Sequence, residues 1–294
     1  MKKNTIHDDV ELKSFNSWKV GGRAEKLLIC DDKDILGSLI KNNKIKLPIT
    51  FVGLGSNLLV RDGGVNGTVI VMHGGINKIN NDDGLIYTEA GVSCSKLSKF
   101  SAKKGLANSA FFSGIPGTVG GALSMNAGCY GSETWDYVQR VLMMNMDGDQ
   151  VERNKADFEV KYREVKNSNK DEFFLAGWFK FPKGNKEEAE KKIRELLSHR
   201  KNTQPLNWPT AGSTFRNPED NFAAKLIEDC DLKGYKIGGA QVSEKHTNFI
   251  INLGNASALD IEQIIIHIQK VVFEKKNILL KREIKIIGEK IGLK

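Results

Sequence analysis

The stretch Ser113-Gly114-Ile115-Pro116-Gly117-Thr118-Val119-Gly120-Gly121-Ala122-Leu123-Ser124-Met125-Asn126-Ala127-Gly128 decides the fold. Gly114, Gly117, Gly120 and Gly121 lie among one proline and the hydroxyl residues Ser113, Thr118 and Ser124, and no side chain from Ser113 to Gly128 is charged. Glycine serves where backbone turns sharply or must approach a ligand closely. A segment of this kind can aim several main-chain N–H groups at one anion, so we read it as a seat for the pyrophosphate of a bound dinucleotide. The competing reading is a mobile surface loop. Ile115, Val119, Ala122, Leu123 and Met125 argue for a buried, ordered segment instead.

Upstream, Leu47-Pro48-Ile49-Thr50-Phe51-Val52 reads as a buried strand that Gly53-Leu54-Gly55-Ser56-Asn57 interrupts. A second glycine-rich loop therefore follows a strand, where α/β folds place ligands. Its spacing is not G-x-G-x-x-G, because Leu58 stands at the third glycine position, and no helix is expected after it. An ordinary Rossmann site is thereby set aside.

Further out, helices are expected over about 32–42, with Ile35, Leu36, Leu39 and Ile40 inward, and over 93–104. Val138 to Arg153 reads as a hairpin around Asp147-Gly148-Asp149. The charged segment 186–201 is read as a helix burying Ala189, Ile193, Leu196 and Leu197. Ala258 to Lys276 is the clearest helix, with a capping box from Ser257 and Asp260 and a stripe of Ile261, Ile264, Ile265, Ile268, Val271 and Val272. Gln204-Pro205-Leu206-Asn207-Trp208-Pro209 reads as an extended linker near a domain boundary.

The chain of 294 residues carries a formal net charge of +8, which favours anionic partners without choosing among them. Its basic residues are scattered or interleaved with acids, which argues against a nucleic-acid binder. Cys30, Cys94, Cys129 and Cys230 form no CxxC pair, so neither a metal site nor a disulfide framework is expected. No signal peptide or membrane-spanning run is seen, and a cytoplasmic location is expected.

Taken together, the motifs resemble one family, UDP-N-acetylenolpyruvoylglucosamine reductase, the flavin enzyme of peptidoglycan precursor synthesis. The matching pieces are Asn16-Ser17 with Gly21-Gly22-Arg23-Ala24, Gly53 to Leu59, Gly114 to Ala122, Met125 to Gly128, Tyr162-Arg163, Ala211 to Pro218, and Glu283 with Ile287-Gly288. They occur in the family's order.

The resemblance implies an α+β fold of the FAD-binding vanillyl-alcohol-oxidase type. Two FAD-binding subdomains, 1–72 and 73–200, would precede a C-terminal α+β substrate-binding domain, 201–294. FAD would be lined by Gly53, Gly55, Ser56, Asn57 and Leu58, and by Gly114, Ile115, Pro116, Gly117, Thr118, Gly120, Gly121, Ala122 and Asn126. NADPH would reduce FAD, which in turn reduces the enolpyruvyl ether of a UDP-sugar to give UDP-N-acetylmuramate. By the same resemblance Ser213 would be the proton donor, with Arg163 and Glu283 stabilising the charge that develops, and no metal is implied. Lys201, Gln204, Asn217 and His246 fall near the family's contacts to the UDP part; His246 could equally be a solvated loop residue. The chain departs from the family pattern in having Val165 where serine is common. It also has a short span between Arg163 and Ser213, as in the compact form without the tyrosine-bearing insertion. A monomer is expected. The competing functions are another flavin enzyme on the same fold, such as an oxidase, and a non-enzymatic anion-binding module.

Overall fold

The computed structural model describes residues 1–167, 169 and 171–291. The chain forms two compact units. One comprises residues 1–7, 27–54 and 67–200; the other comprises 8–26, 55–66 and 201–294.

The first unit is built on an antiparallel five-stranded sheet, in the order Gln150–Asn154, Val138–Asn145, Glu172–Phe179, Leu85–Glu89, Ile79–Asp82. The expected hairpin lies at its edge, with Met144 opposite Gln150 across the turn. The strand Ile49–Val52 runs parallel to the strand Val65–Val71, with Ile49 opposite Thr68 and Val52 opposite Val71.

Helix α1 (Lys33–Lys41) is capped by Asp32, whose carboxylate accepts from the amides of Asp34 and Ile35. These bonds and the helix N-terminus hold the Asp32 carboxyl below the usual range. Leu36 and Ile40 are buried as expected, but Ile35 is exposed. The apolar positions 35, 36, 39 and 40 cover a wider arc than the core accepts, so the one at its edge faces water. Helix α2 (Cys94–Lys103) is capped by Ser93, and α3 (Val119–Met125) by Thr118. Helix α4 (Lys186–Thr203) packs Ile193 and Leu196 on Ala102 and Ala110. Leu197, expected inward, is exposed for the same reason as Ile35.

In the second unit, α5 (Ala223–Glu228) and α6 (Ala258–Lys276) share one core with Trp18, Leu59, Phe215, Val242 and Ile250. A three-stranded antiparallel sheet, Lys236–Ile237, Ala240–Val242 and Ile250–Asn252, lies in the same unit. Leu58–Val60 pairs in parallel with Lys285–Ile287. The capping box of Ser257 and Asp260 forms as read, and Asp62 adds a second cap by accepting from the amides of Ala258 and Leu259 at 3.1 and 3.0 Å.

Beside that cap, Arg61 grips Glu262 through two hydrogen bonds of 2.9 and 2.7 Å. The guanidinium holds the Glu262 carboxyl below the usual carboxylate range. A depressed folded-state pKa contributes stability above the unfolded value, near 4.3, and loses it as pH falls through the folded value. Glu262→Gln should therefore lower the unfolding free energy near neutrality by about 1.5–3 kcal/mol. Denaturant unfolding across pH checks the sign, since the gap to the parent should narrow below about pH 4.

Candidate active site

The glycine-rich stretch is a short helical turn, Ala110–Gly114, followed by a bend at Gly117 and then α3. A side chain at Gly114 would strike the Tyr130 ring and Cys129 Sγ, and one at Gly120 would meet Ala90. Both positions require glycine because neighbouring groups already fill the space. A Cβ on Gly53 would overlap Thr118 Oγ1. The start of the upstream loop and the entry to α3 therefore touch within the first unit, which supports the two stretches acting on one ligand.

The amides divide into two sets. Those of Val119 and Gly120 donate to the carbonyls of Val92 and Ala90 at 2.8 and 2.9 Å, and are already engaged. Those of Gly53, Leu54 and Thr118 have no hydrogen-bond partner among the described residues. A half-buried group of open N–H donors suits an anion such as a cofactor phosphate. These residues thus fit FAD.

Asn126 ends α3 in the left-handed conformation, with φ 43°. Its amide group donates to Glu133 Oε2 at 2.7 Å and Lys161 O at 3.3 Å, and accepts from the Trp135 amide at 3.0 Å. With 2% exposure, this side chain holds the protein together around its own position.

Arg163 occupies the two-residue turn of the hairpin Phe158–Lys161 and Glu164–Asn167. Its φ of 57° is a conformation that costs a non-glycine residue about 1–2 kcal/mol. The guanidinium donates to Gly128 O at 2.7 Å and Asn126 O at 3.3 Å and lies over the Tyr162 ring. Val165 packs into the adjoining hydrophobic cluster. Burial pushes the neighbouring Cys129 thiol up to about 11, despite Arg163 and Arg200, so it is protonated near neutrality and not a nucleophile.

In the second unit, Ser213 and Glu283 lie on adjoining segments. The Thr214 carbonyl accepts from the Glu283 amide at 2.9 Å, and Phe215 bridges Arg282. Asn57 joins them. Its side chain donates to Glu283 O at 3.1 Å, and its carbonyl accepts from the Lys285 amide at 2.9 Å. Gly55, with φ 62°, lies against Phe15 and Asn16, and its carbonyl accepts from the Ser17 amide at 3.1 Å. Asn16 closes its own turn by donating to the carbonyls of Leu12 and Val20. Ser56 follows Gly55 in this loop, and Leu58 begins the parallel strand.

Lys201 and Gln204 line a cavity of about 540 Å³, with Trp208, Gln241, Glu244 and Lys245 on its wall. Trp208 is 45% exposed, whereas Trp18, Trp135 and Trp178 are buried. Asn217 sits before α5, where its side-chain oxygen accepts from the Ala223 amide at 3.1 Å. His246 is half-buried, and burial pushes its imidazole below the usual range, keeping it neutral near pH 7. Its Nδ1 accepts from the Asn248 amide at 3.3 Å. The sequence reading passed over Trp208 and Asn248. The only signal for either was its neighbourhood to a motif.

Residues 204–287 match the family model for the UDP-N-acetylenolpyruvoylglucosamine reductase C-terminal domain, and residues 28–154 match that for an FAD-binding domain. The UDP-N-acetylenolpyruvoylglucosamine reductase of Nitrosospira multiformis is 43% identical, over 96% of this chain and 88% of its own length. That of Legionella pneumophila strain Paris is 46% identical over 95% and 92%. The crystal structure of the Thermus caldophilus reductase aligns with a TM-score of 0.82 at 28% identity, covering 97% of this chain and all of its own.

Proposed function

Because the chain belongs to the UDP-N-acetylenolpyruvoylglucosamine reductase family, we propose that it reduces the enolpyruvyl ether of UDP-N-acetylglucosamine to UDP-N-acetylmuramate, with FAD as redox group and NADPH as co-substrate. When bound, FAD supplies a hydride to the terminal vinyl carbon of the substrate and draws its own from NADPH. The remaining tasks fall to side chains.

The open amides of Gly53, Leu54 and Thr118 are assigned to the phosphates of FAD, within the two glycine-rich loops. Asn126 is a positioning residue, since its polar atoms are spent on the protein. Ser213 gives its hydroxyl proton to the carbon beside the substrate carboxylate, which holds the electron pair left by hydride addition. Glu283 hydrogen-bonds the charge that develops there. Arg163 offers the substrate carboxylate a positive charge. Lys201, Gln204, Asn217 and His246 are assigned to the UDP part, and 201–294 to a substrate-binding domain. Two FAD-binding subdomains, a monomeric state and a cytoplasmic location complete the reading. Among the described residues no helix is long and apolar enough to cross a membrane.

The observation that supports this assignment most is the peptide of Thr214. It joins the segment of Ser213 to that of Glu283, two residues far apart in sequence. The test is the visible absorption spectrum of the protein under anaerobic conditions. NADPH should bleach the flavin bands and the enolpyruvyl substrate should restore them. A flavin that only an alcohol substrate reduces would overturn the reading in favour of an oxidase, and a preparation that takes up no FAD would favour an anion-binding module.

Gly53→Ala follows from the same geometry. The new methyl group would push Thr118 from the cap of α3, a contribution of about 1 kcal/mol. FAD should then bind on the order of tenfold more weakly. Titration of the apoprotein with FAD, followed by flavin fluorescence, measures the change.

A further inference from the structure

We propose that Asn248 is the positioning residue for Ser213, the group that sets where the proton-donating hydroxyl stands. The inference rests on the function proposed above. Asn248 is 3% exposed, and its side chain makes both of its protein hydrogen bonds to one residue. Oδ1 accepts from the Phe215 amide at 3.0 Å, and Nδ2 donates to the Phe215 carbonyl at 2.9 Å. Its main-chain carbonyl accepts from the Thr214 amide at 2.8 Å.

That amide belongs to the peptide that leaves Ser213, so three hydrogen bonds from one asparagine fix the backbone immediately after the hydroxyl. Ser213 itself bridges Phe249, the next residue along. On the opposite side, the Thr214 carbonyl receives the Glu283 amide and the Arg216 amide donates to Lys281 O. The segment 213–216 is thus held between Asn248 and the segment carrying Glu283. Thr214 is fully buried and its hydroxyl has no partner among the described residues, so its own side chain provides no anchor.

Asn248 is anchored in turn. Its amide donates to His246 Nδ1, and the amides of Lys245 and His246 donate to Ser243 Oγ. The Ser243 amide donates to Phe249 O at 2.8 Å, closing the loop. A side-chain amide is the group that offers one acceptor and one donor in a plane, which is what the backbone of Phe215 requires. Alanine offers neither. Ionised aspartate offers only acceptors and would face the Phe215 carbonyl. Protonated aspartic acid again offers one O–H and one carbonyl oxygen.

The experiment compares Asn248→Ala, Asn248→Asp and Ser213→Ala with the parent holoenzyme, following the two half-reactions separately by flavin absorbance in a stopped-flow instrument. In Asn248→Ala, reduction by NADPH should stay within about twofold of the parent, while reoxidation by the enolpyruvyl substrate slows on the order of 10- to 100-fold. The solvent deuterium isotope effect on reoxidation should rise, because misplacing the hydroxyl makes proton transfer limiting. Amide exchange at Thr214 and Phe215 should quicken. In Asn248→Asp, reoxidation relative to the parent should recover as pH falls and the buried carboxyl takes up its proton. The titratable or charged groups on the segments packed with this position are Glu244, Lys245, His246, Arg216, Lys281, Arg282 and Glu283. The parent and Asn248→Ala profiles measured alongside remove their contribution.

Equal loss in both half-reactions, or a lowered melting temperature with unchanged reoxidation rate and isotope effect, would overturn the inference. So would an Asn248→Asp enzyme whose relative rate does not rise on acidification. If Ser213→Ala is itself without effect on reoxidation, the proposed function is what has failed. If Ser213→Ala is slow and Asn248→Ala is not, only the role of Asn248 has failed.

Discussion

Replacing Ser213 by alanine should leave the reduction of bound FAD by NADPH within about twofold of the parent and slow reoxidation by the enolpyruvyl substrate by on the order of 10²–10⁴. The asymmetry arises because only the second half-reaction needs a proton at carbon. Hydride addition leaves an electron pair beside the substrate carboxylate, and a hydroxyl is acid enough to quench it only when it is held close and its alkoxide is supported. The backbone that carries Ser213 is anchored by Asn248 on one side and the segment of Glu283 on the other, which is the support the proposed role requires. Alanine keeps the backbone bonds and removes only the O–H, so the folded structure and the FAD loops should be unchanged. Single-turnover kinetics of the two steps decide the matter, and equal slowing of both would falsify the assignment.

Trp18→Ala should carry the largest cost in stability, about 3–5 kcal/mol. Trp18 is fully buried in the core of the second unit, against residues of α5 and α6 and the strands beside them. Its indole N–H donates to Ile250 O at 2.7 Å, and its carbonyl accepts from Asn252 Nδ2 at 2.8 Å. Truncation would remove the ring, open a cavity and take from the Ile250 carbonyl one of its two donors, the other being the Thr210 hydroxyl. Trp18→Phe retains most of the apolar volume and loses only the indole hydrogen bond, at about 0.5–1.5 kcal/mol, because Thr210 Oγ1 still donates to Ile250 O at 2.8 Å. Denaturant unfolding should rank the three proteins parent, Phe, Ala. Alanine and phenylalanine variants of equal stability would mean that the ring contributes nothing beyond its hydrogen bond.

Much of the second unit's long helix was legible because its signals are local. Ser257 and Asp260 sit three residues apart and cap it, and the isoleucines recur at helical spacing. The hairpin across Asp147-Gly148-Asp149 was legible for the same reason. Ile35 and Leu197 were misjudged because periodicity gives the direction of an apolar face but not its width. The neighbours that bound it come from elsewhere in the chain. In the glycine-rich stretch, the residue types pointed to a phosphate seat. They could not show that the Val119 and Gly120 amides are already spent on Val92 and Ala90.

The sequence by itself determined the elements, the two glycine loops and the family, because turns, caps and ordered motifs depend on residues within a few positions of one another. Tertiary structure alone decided that Asn248 and Glu283 meet on the backbone that follows Ser213, that Asn57 binds the segment of Glu283, and that Trp18 packs into a core built mostly from the last third of the chain. Those pairings span tens to hundreds of residues. They are fixed by which buried donor finds which carbonyl once the core has closed, a choice that no local spacing records.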